Sequence, residues 1–165
     1  MVSSTDRIEK RVSLRAPQER VWRAISDPAE FGSWFGMEFD STFAAGAEVR
    51  GRMKPTIADA TVAKRQEKYA GSPVALFIER IEPMRLFSFR WHPYAIDTSV
   101  DYSNEPMTLV TFTLEPSTGG TTLTVVETGF DSIPIERRAD AFEANEEGWT
   151  LQLQLIEKYL QLPRA

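Results

Sequence analysis

The strongest hydrophobic pattern in the chain lies at its C-terminal end. In PIERRADAFEANEEGWTLQLQLIEKYLQLP, Pro134 to Pro163, the residues Phe142, Trp149, Leu153, Ile156 and Leu160 recur at intervals of seven, four, three and four. That is one apolar stripe of helical period. Asn145 and Glu146 fill the turn between Phe142 and Trp149. Pro134 lies just outside the start, and Pro163, unable to continue a helix, marks its stop. Gly148 sits mid-helix, where glycine costs about 1 kcal/mol against alanine. Its retention predicts close approach by another element.

Upstream, the pattern is mostly alternating. Residues 7–14, RIEKRVSL, place Ile8, Val12 and Leu14 on one face, interrupted by Lys10, and predict a first strand. Two short helices follow. PQERVWRAISDP carries Val21, Trp22 and Ile25 at helical spacing, and Asp27-Pro28 opens a second helix over Ala29 to Phe35 with Phe31, Trp34 and Phe35. From there the chain reads as extended. Glu38 to Phe43 is a weak strand, Ala45-Gly46 a turn, and Glu48 to Lys54 a strand with Val49, Gly51 and Met53 on its covered face. Residues 55–73 break the sheet pattern between Pro55 and Gly71-Ser72-Pro73, and Ala58 to Tyr69 predicts a short helix or turn there. Four antiparallel segments end the sheet. Val74 to Glu82 turns through Pro83-Met84 into Arg85 to His92, where Phe87, Phe89 and Trp91 give a clean period of two. After a loop at 93–107, Thr108 to Glu115 presents Val110, Phe112 and Leu114. Gly119-Gly120 then turns the chain into Thr121 to Phe130, which presents Leu123, Val125, Glu127 and Gly129.

One strand, two short helices, about six further strands and a final long helix predict an α+β fold, with helices on one face of a curved antiparallel sheet of six to seven strands. A twisted sheet of this size curls. One amphipathic helix laid in its concave face leaves a gap beside the N-terminal helix pair, the natural place for a cavity.

Composition narrows the picture. A length of 165 residues is that of a single domain, 1–165, able to bury roughly 70% of its unfolded surface without staples. The chain has no cysteine, which removes disulfides, thiolate zinc sites and cysteine nucleophiles and fits a reducing cytosol. A net charge of −5 argues against nucleic acid as partner. The basic stretch Arg50 to Lys54, with Lys64, Arg65 and Lys68, reads as a solvated edge. No apolar run approaches the length of a membrane span and no leader is visible, so the expectation is a cytoplasmic protein with no membrane insertion.

Candidate chemistry centres on the expected gap. Its aromatic and apolar members are Trp34, Phe35, Phe39, Phe89, Trp91, Phe112, Phe142, Trp149 and Leu153. Trp34, Phe35, Trp91 and Trp149 are foremost, because helix pair, concave sheet and last helix should converge there. Glu127 shares a face with Leu123 and Val125 and should point inward. A carboxylate in an apolar cavity must be paired, hydrated or protonated. It either orients a ligand polar group or serves as acid or base; otherwise the strand end is exposed or a buried arginine pairs with it. Asn145 and Glu146 either present polar groups to the gap or lie on a wet flank. His92, the single histidine, alternates outward beside Trp91 and makes no metal site alone. Phosphate loop, nucleophile-elbow and metalloprotease motifs are all missing, and cofactor chemistry has no visible handle.

The segments VWRAISDPAEFGSWFG, EVRGRM, ERIEPMRLFSFRW, TTLTVVETGF and EANEEGW, in this order and spacing, resemble the START-like, helix-grip (SRPBCC) superfamily. Within it they are most similar to homologues of the activator of the 90-kDa heat-shock protein's ATPase. The resemblance covers nearly the whole chain and departs from it at residues 55–73, where many members carry a shorter hairpin. It implies a seven-stranded sheet gripping the C-terminal helix around a cavity for an apolar ligand. It implies no single activity, since members include lipid and hormone binders, cyclases and co-chaperone domains. Three functions follow as expectations. The first is binding of a small hydrophobic or aromatic ligand without catalysis. The second, resting on the resemblance alone, is a co-chaperone-like module that meets a chaperone or other protein. The third is a cyclase- or dehydratase-type enzyme using Glu127.

Overall fold

The computed structural model describes residues 6–163. Strand β1 (Arg7–Leu14) leads into helices α1 (Gln18–Ser26) and α2 (Pro28–Phe35). The junction between these helices is built as Asp27-Pro28 predicts. The Asp27 carboxylate accepts from the Glu30 backbone N–H at 3.0 Å, and proline occupies the first helical turn. Gly36 then ends α2 in the left-handed region at φ 103°, a conformation glycine takes without penalty.

Strands β2 (Met37–Phe39), β3 (Glu48–Met53), β4 (Pro73–Glu82), β5 (Leu86–Trp91), β6 (Thr108–Ser117) and β7 (Gly120–Thr128) follow, and helix α4 (Ile135–Gln161) closes the chain. The seven strands form one antiparallel sheet in the order β1-β7-β6-β5-β4-β3-β2. The first strand thus returns beside the last, and β2 is the far edge. The extended stretch after α2 is shorter than Glu38 to Phe43 suggests, because only Met37–Phe39 pairs with β3. Gly51 explains that pairing. A Cβ there would stand 2.1 Å from the Glu38 carbonyl oxygen, so only glycine lets β2 cross so closely.

The 55–73 connection folds into helix α3 (Ala60–Gln66) and a short 3-10 turn, Glu67–Tyr69. Its N-terminal part is tied down twice. Asp59 caps α3 through the Val62 N–H and pairs with Lys158 of α4. Buried Thr56 donates its hydroxyl to the Trp34 carbonyl at 2.8 Å.

Helix α4 lies in the concavity of the sheet. Trp149, Leu153 and Ile156 are buried as the stripe predicts, Phe142 and Leu160 are half-buried, and Ala141 and Leu155 join the core beside them. Gly148 is a correction. A Cβ at this position would meet nothing within 4 Å, so no element approaches the helix there.

Phe31 is the hub of the apolar interior. Its ring lies within 4.9–6.4 Å of seven others, from Trp34 and Phe35 on its own helix to Phe87, Phe89 and Phe112 on the sheet.

Candidate functional site

The sheet's period of two carries Leu123, Val125 and Glu127 to the concave face, and all three are completely buried. In register, Glu127 stands between Ile8 of β1 and Val110 of β6. Its carboxylate meets α4 at the level of Asn145 and Trp149. The Trp149 indole Nε1 donates to Oε1 at 2.7 Å. The Asn145 amide Nδ2 straddles the group, at 2.9 Å from Oε1 and 3.1 Å from Oε2. The Thr108 hydroxyl and the Trp91 indole Nε1 complete Oε2 at 2.6 and 2.7 Å. Trp91 and Thr108 are cross-strand partners on β5 and β6, which is why both reach the same oxygen.

The carboxylate is therefore ringed by four neutral donors, the complement of an acceptor-only anion, and no arginine or lysine is among them. Buried charge without a countercharge costs several kcal/mol unless its hydrogen bonds are complete. Here they are. The surroundings are aromatic: Trp91 and Trp149 lie 5.9 Å apart, Phe35 is 6.0 and 5.8 Å from them, and Phe112 is 5.7 Å from Trp149.

Of the residues expected at the gap, the structure brings Phe35, Phe89, Trp91, Phe112, Glu127, Asn145 and Trp149 together. Three lie apart from this group, and Trp34 adjoins it only edge-on to Phe35 at 5.5 Å. Trp34 spends its indole N–H on the Ala24 carbonyl at 2.8 Å, tying α2 to α1. Phe39 packs on Phe31 and Phe43 near the β2 edge. Phe142 stacks edge-on against Phe130. Leu153 faces Lys10 and Val12 of β1. Glu146 pairs with Lys10 on the flank rather than with the cluster. Thr108 escaped the sequence reading, although it shares the parity of Val110, Phe112 and Leu114 and so belongs to the inner face.

Around Glu127 the interval between sheet and helix is occupied by these rings and hydrogen bonds. Two concavities of the surface lie away from that cluster. One of about 480 Å³ runs along α2, β2 and Pro55–Ile57, with Met37 and Phe39 in its wall. One of about 220 Å³ lies between β1 and α4. The basic stretch on β3 is neutralised, Arg50 by Glu48, Arg52 by Glu38 and Asp40, and Lys54 by Glu38.

On the outer side of Trp91, residues 93–107 form a strap. Arg137 of α4 holds it, with Nε and Nη2 both 2.8 Å from Glu105 Oε1, Nη1 2.9 Å from the Pro93 carbonyl and the guanidinium 4.8 Å over the Tyr102 ring. His92 sits beneath this clamp. Burial holds its imidazole below the ordinary value, Glu105 and Asp101 pull it up, and Arg137 pushes it down. Among the described residues, no three His, Cys, Asp or Glu side chains gather as a metal site, and no helix is long and apolar enough to cross a membrane.

A seven-stranded sheet gripping one long helix, with two short helices after the first strand, defines the START-like class. The chain belongs to the family described as activator of Hsp90 ATPase homolog 1-like protein, whose model matches residues 15–161. No functionally curated protein matches the chain. Among solved structures, protein MLL2253 from Mesorhizobium loti is 23% identical at a TM-score of 0.68, over 96% of this chain and 99% of that one. A protein from Arthrobacter aurescens is 18% identical at 0.72, over 96% and 88%. The Aha1 dimer from Colwellia psychrerythraea is 13% identical at 0.68, over the full length of both. At these identities the likeness is one of fold, and the family fold is compatible with ligand binding.

Proposed function

We propose that this chain is a cytoplasmic, single-domain START-like protein, spanning 1–165, that binds a small hydrophobic or aromatic molecule between the sheet and α4 without transforming it. The supporting observation is Glu127. A carboxylate with no exposed surface, satisfied only by neutral donors, is a costly way to join a sheet to a helix, since apolar residues of similar volume hold such junctions as well or better. Groups of this kind are kept where polarity serves recognition. Two of its donors, Trp91 and Asn145, are only half-buried and form the side from which a guest would enter. The ligand contacts on this reading are Trp91, Glu127, Asn145 and Trp149, with Phe35, Phe89 and Phe112 behind them.

Native mass spectrometry of the purified protein, then thermal shift and tryptophan fluorescence against fatty acids, sterols and aromatic polycycles, tests this. The expected result is a co-purifying mass, or a compound that raises the melting temperature with saturable quenching. A full panel with neither outcome sinks the proposal.

A second reading, a co-chaperone-like module meeting a chaperone or other protein, is favoured by the filled interior, which leaves the exterior as the working surface. An enzyme using Glu127 as acid or base fits less well. Its hydrogen-bond partners are indole, amide and hydroxyl groups, none of which would share a proton with it near neutral pH.

A further inference from the structure

We infer that the ligand of the Glu127 cluster is a flat aromatic molecule carrying a neutral hydrogen-bond donor, a phenolic hydroxyl above all, and that Glu127 selects it; this rests on the proposal that a ligand binds there.

The four donors around the carboxylate are not equivalent. Thr108 is completely buried on an inner strand and Trp149 is 2% exposed, so both are fixed. Trp91 and Asn145 are half-buried. Trp91 is also the last residue of β5, one residue ahead of the 93–107 strap, so it can swing without breaking the sheet's centre. A guest wedged between Trp91 and Trp149 displaces the Trp91 donor and loosens Asn145. Glu127 then keeps Thr108 on Oε2 and Trp149 on Oε1, and a buried anion is left with two of its four donors.

What the guest must supply follows from this. A hydrocarbon leaves the carboxylate short of donors, and an unmet buried charge is heavily penalised. A carboxylate guest adds a like charge at hydrogen-bond distance. A hydroxyl on an aromatic ring restores the missing bond to a charged acceptor, which is stronger than a neutral one. The ring itself finds aromatic faces on both sides, since the Trp91 and Trp149 rings are 5.9 Å apart and tilted by only 30°.

The test is a matched set of three probes of one size: 2-naphthol, 2-methylnaphthalene and 2-naphthoate. Binding is measured by calorimetry, and the site is located by the indole N–H resonances in a proton–nitrogen NMR spectrum. The expected result is that 2-naphthol binds at least about tenfold more tightly than either analogue, and that the Trp91 and Trp149 indole signals move while those of Trp22 and Trp34 stay. Glu127→Gln should abolish the preference. If that variant does not fold, Trp91→Phe serves instead. It removes the donor that must be displaced, so naphthol and methylnaphthalene should both bind more tightly while the advantage of naphthol is kept. Equal binding of the three, or preference for naphthoate, overturns the inference and leaves the binding site standing. Failure of all three to bind, together with an empty ligand panel, overturns the site and the inference together.

Discussion

The two ends of the grip are held by opposite arrangements of charge. At the C-terminal end of α4, the helix pair docks with rings inside and ions outside. Phe31 is surrounded by aromatic side chains, while at the rim Glu30 takes Arg20 at 2.8 Å, Arg23 at 3.0 Å and the Tyr159 hydroxyl at 2.8 Å. Water can help with every one of those charges. Nearer the N-terminal end of α4 the order is inverted. A carboxylate is inside with neutral partners, and the nearby cation, Arg137, is spent on the strap outside. The first end is what stability alone would build. The second sacrifices stability at one position, and a departure from the best packing is most informative where nothing structural requires it.

Phe31→Ala breaks the first end and carries the largest expected effect. Removing a completely buried ring that touches seven others should cost about 3–5 kcal/mol, read as a lower denaturation midpoint with an unchanged slope. A loss below about 1 kcal/mol would mean that the ring cluster is not the stabilising end, and the contrast would fail.

Gly148→Ala sharpens the contrast from the other side. The new methyl meets nothing, and Gly148 directly precedes Trp149 of the Glu127 cluster. Helix propensity alone predicts a gain of about 0.5–1 kcal/mol. That gain, measured by urea unfolding, together with weaker ligand binding would assign the glycine to helix give at the polar end. A gain with binding unchanged would leave it as an unused allowance in the helix.

These predictions also bear on what the residues revealed before the fold was known. The stripe in α4, the Asp27-Pro28 junction and the alternation in β5 and β7 were legible because each is set by a local period or a single turn residue. The inward direction of Glu127 came from the same counting. Trp91, Asn145 and Trp149 were expected at the same gap, but not their bonds to it, because only three-dimensional register brings them and Thr108 to one carboxylate. Lys10 was legible only as an interruption in β1. Glu146 of α4, 136 positions away, explains it. The partner of Trp34 was hidden for a related reason: nothing in the local sequence shows that its indole is committed to the Ala24 carbonyl. The glycine at 148 was misread because a missing side chain records permission as well as need.

Arg137→Ala should have the smallest global effect and the most local one. Its side chain and that of Glu105 are 19% and 20% exposed, close to the surface class whose ion pairs contribute about 0–1 kcal/mol. The strap should nevertheless lose its fastening to α4. Amide exchange over residues 94–106 should quicken while β6 and β7 keep their protection. His92 gives an independent readout by NMR titration. Arg137 pushes its imidazole down and Glu105 and Asp101 pull it up, so removing the guanidinium should raise the value. The sign carries through to stability. In the native protein the folded imidazole binds its proton at lower pH than the unfolded one, so the unfolded state holds more protons between the two and stability falls as pH drops through that window. Raising the folded value narrows the window, and the acid-side loss in Arg137→Ala should be shallower than in the parent. If strap exchange and the His92 titration both stay unchanged, Arg137 is not what closes this end, and the entry side of the Glu127 cluster must be sought elsewhere.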